Sequence, residues 1–139
     1  MIESPEHGVL KPFDFEHILR EIPELNKLAC ELSSYSFKTP LDSSDIGPEH
    51  WVQLATIIEK NYNLFDGFVI LHGSDTMAFT ASALSFMFEN LSKPVILTGS
   101  QLPIGTLRTD GKENLITAIE IASSYRKGKA LVPEVAVYF

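Results

Sequence analysis

The sequence predicts an α/β protein with a parallel, doubly wound sheet and helices on both faces. Three observations carry that reading. Two short apolar runs, Phe68 to Leu71 and Pro94 to Leu97, show no polar alternation, the pattern of strands buried on both sides. Each is followed, after a polar turn, by apolar residues at helical spacing. Strands that alternate with helices imply parallel pairing through crossover connections, expected to be right-handed.

In chain order, Met1 to Pro12 carries charge, Gly and Pro without a period and reads as a loop. Asp14 can cap a helix running to about Glu21, with Phe15, Ile18, Leu19 and Ile22 inward and Pro23 ending it. Leu32 to Phe37 reads as a weak, edge-like strand. Pro48 opens a helix whose inner stripe is Trp51, Leu54, Ala55, Ile58 and Tyr62. After the strand at Phe68 to Leu71 the next helix carries Met77, Ala81, Leu84, Phe88 and Leu91 on one stripe, with small residues between them. Beyond Pro94 to Leu97, Pro103 and Gly105 rule out regular structure, and Asp110 with Glu113 resembles a capping box. Leu115, Ala118, Ile119 and Ala122 form that helix's inner stripe, and Arg126, Lys127 and Lys129 suit a helix C-terminus. Pro133 introduces a last strand, Val135 to Phe139.

Composition narrows the classes of function. With 139 residues, 45% of them hydrophobic, the chain can bury one core and reads as a single domain. A net charge of −7, with eleven scattered Lys and Arg, argues against a nucleic-acid partner or an anionic membrane surface. No apolar run is long enough to span a bilayer, no signal peptide is visible in residues 1–30, and the single cysteine, Cys30, suits a reducing compartment as a core thiol. A cytoplasmic protein is expected. His7, His17, His50 and His72 show no metal-ligand spacing, so no metal is expected, and no phosphate-binding glycine loop is present.

Chemistry concentrates where strands give way to helices. His72-Gly73-Ser74-Asp75-Thr76 places two hydroxyls and a carboxylate at the start of a helix, where ligands bind in open α/β sheets. Leu41-Asp42-Ser43-Ser44-Asp45 offers a second polar wall, and Thr98-Gly99-Ser100-Gln101 ends another strand in hydroxyls and an amide. Ser, Asp and Thr are also ordinary capping and turn residues, and His72 suits packing as well as site-shaping. Three such loops on the same side of one sheet favour a site for a small polar substrate over capping alone.

HGSDTM (72–77), TGSQLP (98–103) and LDSSD (41–45) together resemble the bacterial type I L-asparaginases, cytoplasmic members of the asparaginase and glutaminase amidohydrolase family. The likeness runs along essentially the whole chain, including FVILH and KPVILTGSQ. It implies an N-terminal asparaginase domain that converts L-asparagine to L-aspartate and ammonia through a threonine hydroxyl and an acyl-enzyme, without metal or organic cofactor. L-glutamine is the related substrate, one methylene longer. The resemblance puts Ser74 in place of the threonine of a Thr-Lys-Asp triad and Asp75 in place of its aspartate, which also holds the substrate ammonium. Ser43, flanked by Asp42 and Ser44, matches the segment that grips the α-carboxylate.

Several departures qualify the likeness. Serine at 74 keeps the hydroxyl but loses threonine's stiff χ1. The family's first threonine would fall before Met1 and its triad lysine after Phe139, while Lys112 and Lys129 do not match, and Val9 stands where many members have a tyrosine. The 139 residues are therefore expected to be an interior part of the N-terminal domain, without its first strand or the C-terminal domain, and inactive alone. The resemblance also implies a homodimer or homotetramer. A non-catalytic aspartate- or asparagine-binding module is the alternative.

Overall fold

The computed structural model describes residues 2–3, 10–11, 15–37 and 41–139. The expected cap at Asp14 and the comparison made at Val9 lie outside them. A two-residue antiparallel ladder joins β1 (Ile2–Glu3) to β2 (Leu10–Lys11), a pairing not foreseen in a segment read as loop. Helix α1 (Phe15–Glu21) follows, and a 3-10 turn, Pro23–Lys27, continues it past the proline that ends the α-helix. The expected strand at Leu32 to Phe37 is absent: residues 31–37 have no regular structure. Ser33, Ser34 and Ser36 are exposed, so the segment has too little apolar surface to be held against a neighbouring strand.

The core is a three-stranded parallel sheet in the order β3–β4–β7, formed by Phe68–Leu71, Val95–Thr98 and Val135–Val137. Register pairs Val69 with Ile96 and Ile96 with Ala136, so these three share a face. Helix α4 (Gly111–Ala122) covers that face, packing Ala118 and Ala122 onto Ile96. Its outer side meets Ile18, Ile22 and Leu25 through Leu115 and Ile119. Cys30 lies partly buried against this second cluster. On the opposite face point Val95 and Leu97, both 0% exposed. Helix α3 (Met77–Met87) packs against β4 and β7, and α2 (Pro48–Asn61) packs against α3. Burying each of Val95, Ile96 and Leu97 in β4 contributes roughly 1.5–3 kcal/mol, which makes this strand the anchor of the fold.

Helices thus lie on both faces, as expected, but the handedness rule does not hold throughout. The connections β3–α3–β4 and β4–α4–β7 step the same way across the sheet and run over opposite faces, so one of them is left-handed. Between them the two crossover helices cover both faces of β4. Both of its faces are apolar, and a helix on only one side would leave Val95 and Leu97 in water.

Several local expectations are also corrected. α3 stops at Met87, with Phe88 extended at φ −90°, so Leu91 lies beyond the helix. The basic cluster after α4 does not sit in its last turn. Tyr125–Arg126 (β5) pairs with Lys129–Ala130 (β6) as a hairpin whose tip residues, Lys127 and Gly128, both have positive φ, +52° and +74°. That geometry is a turn of the primed type, whose twist suits a two-residue hairpin. The last strand ends at Val137 rather than Phe139.

Candidate active site

The three polar loops meet at the C-terminal edge of β3 and β4. His72 carries β3 into the site, its amide donating to the Thr98 carbonyl at 2.9 Å. Gly99, just beyond β4, lies so close to the His72 carbonyl and the Met77 side chain that a Cβ there would collide with both. Gly73 lies equally close to Ser43. The glycines on either side therefore let the 42–45 and 98–101 loops close onto the 72–76 turn.

Ser43 and Asp75 touch. The Ser43 hydroxyl donates to Asp75 Oδ2 at 3.2 Å, linking residues 32 positions apart. Ser43 is buried, whereas Asp75 is exposed, leaving carboxylate lone pairs open to solvent. Thr76 ties the same loops a second time, its hydroxyl donating to the Ser43 carbonyl at 2.6 Å. Ser74 is exposed, and its hydroxyl has no partner among the described residues.

Asp42 and Ser44 are arranged differently. Asp42 Oδ1 accepts from the Ser44 amide at 3.0 Å and the Ser44 hydroxyl at 2.9 Å, and with these bonds its carboxyl is held below the usual aspartate range. This is an Asx turn that caps the short 3-10 segment Ser43–Asp45. The geometry turns Asp42 and Ser44 onto their own loop and leaves Ser43 as the member of the trio that reaches Asp75.

Behind the site runs a buried polar chain. His72 is 8% exposed, with Nδ1 2.7 Å from the Gly73 carbonyl and Nε2 2.8 Å from Thr80 Oγ1. A carbonyl can only accept, so Nδ1 carries the proton and, in the neutral ring, Nε2 accepts from the Thr80 hydroxyl. Trp51 Nε1 donates to Thr80 Oγ1 at 3.1 Å and completes the chain. Burial pulls the His72 pKa below its ordinary value, partly offset by the bond to Gly73. His72 thus packs and also supports the turn. Neither Trp51 nor Thr80 stood out in the sequence as a partner: Trp51 sits on a helical stripe that reads as core, and Thr80 lies off the stripe of its helix.

Asp110 also departs from expectation. Instead of capping α4, its carboxylate accepts from the amides of Gln101 at 2.8 Å and Leu102 at 3.1 Å. Burial would raise its pKa, but these amides and Asn114 outweigh burial and hold it low. Asn114 Nδ2 donates to the Gly99 carbonyl at 3.0 Å, fixing the third loop from α4. Among the described residues no group of three His, Cys, Asp or Glu is placed to hold a metal.

A parallel α/β sheet with hydroxyls and a carboxylate at its C-terminal edge defines the class as an open α/β protein with a polar site at its strand ends, and the family profile described as "Asparaginase, N-terminal" matches residues 1–139. The chain belongs to this asparaginase family. In sequence it is 56% identical over 127 residues to L-asparaginase 1 of Escherichia coli (strain K12), covering 88% of this chain and 36% of that protein. In structure it is similar to L-asparaginase I of Vibrio cholerae, with a TM-score of 0.84 at 45% identity, over 99% of this chain and 41% of that one. A probable cytoplasmic L-asparaginase of Campylobacter jejuni matches with a TM-score of 0.72 at 32% identity, over 84% of this chain and 36% of that one. The chain thus spans little more than a third of the length of the Escherichia coli relatives it matches.

Proposed function

We propose that these residues form part of the substrate site of an L-asparaginase that hydrolyses the side-chain amide of L-asparagine to L-aspartate and ammonia. A hydroxyl oxygen bonds to the amide carbon, the carbon–nitrogen bond breaks, and the hydroxyl proton leaves with the ammonia. Water then hydrolyses the resulting ester and restores the hydroxyl. Ser74 and Asp75 take the catalytic positions. Asp75 also holds the substrate ammonium, and Ser43, on a turn shaped by Asp42 and Ser44, holds the α-carboxylate.

The observation that carries this reading is the bond from Ser43 to Asp75. An amino-acid zwitterion fits such a pair. Its ammonium replaces the Ser43 hydroxyl on Asp75, which frees that hydroxyl to donate to the α-carboxylate. One charge-assisted bond is exchanged for two, one of them between opposite charges. L-asparagine is assigned as the substrate, with L-glutamine second, since one methylene is worth only about 1–3 kcal/mol of discrimination.

Assembly as a homodimer or homotetramer agrees with the exposed Phe79 and Phe86 of α3, 67% and 88% accessible. No helix among the described residues is long and apolar enough to cross a membrane, and a cytoplasmic location is part of the proposal. The deciding experiment is ammonia release from L-asparagine by the full-length protein and its Asp75→Asn variant. Loss of one charge-assisted bond should lower kcat/KM by about 1.5–3 kcal/mol, roughly 10- to 150-fold. A near wild-type kcat/KM would remove Asp75 from the site. L-aspartate binding by a full-length protein that releases no ammonia would favour a binding module instead.

A further inference from the structure

Thr76 occupies the N-cap position of α3, where a threonine ordinarily turns its hydroxyl back to accept from the helix's own first-turn amides. It makes no such bond. Its hydroxyl instead donates at 2.6 Å to the Ser43 carbonyl, 33 residues away in sequence and across the junction of two loops. The proton of this hydroxyl is committed to a bond between loops rather than within its own turn, which points to a task in holding Ser43.

We propose that Thr76 is a positioning residue for the site described above: it clamps the 42–45 turn so that the Ser43 hydroxyl meets Asp75. The inference rests on the assignment of Ser43 and Asp75 to substrate binding. Three features act together. The Ser43 carbonyl is fixed by Thr76, the Ser43 side chain is bounded by Gly73, and its hydroxyl then has Asp75 in reach. The 3-10 turn Ser43–Asp45 places carbonyl and hydroxyl on one short rigid segment, so a constraint on the first is passed to the second. Threonine suits this better than serine, because its branched Cβ restricts χ1 and aims the oxygen.

The test uses the full-length protein and steady-state hydrolysis of L-asparagine. Thr76→Val keeps the shape and removes the donor. KM should rise on the order of three- to tenfold, with kcat falling by less than KM rises. Thr76→Ser retains a donor and should bring KM back to within about twofold of wild type. Thr76→Ala carries the same expectation as valine and replaces it if the valine variant does not fold. In a Ser43→Ala background, Thr76→Val should add less than about twofold, because the group it positions is gone. Full additivity of the two changes would overturn the proposal. So would an unchanged KM in Thr76→Val and Thr76→Ala while Asp75→Asn impairs the enzyme, which leaves the site assignment standing. Indifference to Asp75→Asn as well would remove the site assignment itself.

Discussion

Replacing Gly73 by alanine tests the meeting of the loops by crowding Ser43, whose hydroxyl oxygen is the atom nearest the added Cβ. Gly73 has φ −66° and ψ 150°, a conformation open to any residue, so alanine costs nothing in backbone strain. The effect comes from space alone. The added methyl would sit 2.6 Å from Ser43 Cβ, against an ordinary carbon–carbon contact of about 3.5–4.0 Å. The 42–45 turn must therefore retreat by roughly 1 Å, which stretches the Ser43–Asp75 bond to ~4 Å, beyond hydrogen-bond reach. Overpacking of this kind costs about 1–3 kcal/mol. Urea unfolding of the full-length protein should show that loss, and calorimetric titration with L-aspartate should show roughly tenfold weaker binding or worse. Gly105→Ala is the control, since nothing lies within 4 Å of a Cβ there. Gly73→Ala with stability within about 0.5 kcal/mol of wild type and undiminished L-aspartate affinity would refute the packing argument.

Other outcomes follow from the same contacts. The His72 pKa is lower in the folded protein than in the unfolded chain, so the unfolded state takes up the proton first as pH falls. Stability is therefore fully present above the ordinary histidine value of about 6.5 and is lost as pH drops below it. Urea midpoints at successive pH values should show the loss, and His72→Gln should flatten that part of the profile. Lys93 Nζ donates to the carbonyls of Tyr62 at 2.5 Å and Phe65 at 2.7 Å, tying the end of α2 to the entry of β4. Lys93→Met should cost about 1–3 kcal/mol in urea unfolding, with kcat/KM unaltered at saturating stability. Ser74→Thr should preserve or raise asparaginase activity, since a threonine hydroxyl is more firmly aimed. A complete loss of ammonia release would mean that the site has been rebuilt around serine.

The sequence by itself determined the pieces. Unbroken apolar runs and helical stripes were enough to locate β3, β4, α2, α3 and α4, because these elements are defined by the burial of their own side chains. Polar loops at strand ends, and the HGSDTM and TGSQLP motifs, were enough to indicate the family. Tertiary structure decided the pairings. Asp110 and Thr76 look like helix caps when only neighbours in the chain are considered, yet each spends its oxygen atoms on another loop. The opposite hands of the two crossovers come from a strand order that keeps stepping one way while the helices take opposite faces, which no local pattern expresses. Trp51 reads as a core residue, His72 as either packing or site-shaping and Thr80 as neither, until folding brings them together as a proton-ordered chain beneath the turn. In each case spacing along the chain limits what a residue can do locally, whereas the partner of a polar group is set by whichever distant backbone the packing brings within 3 Å.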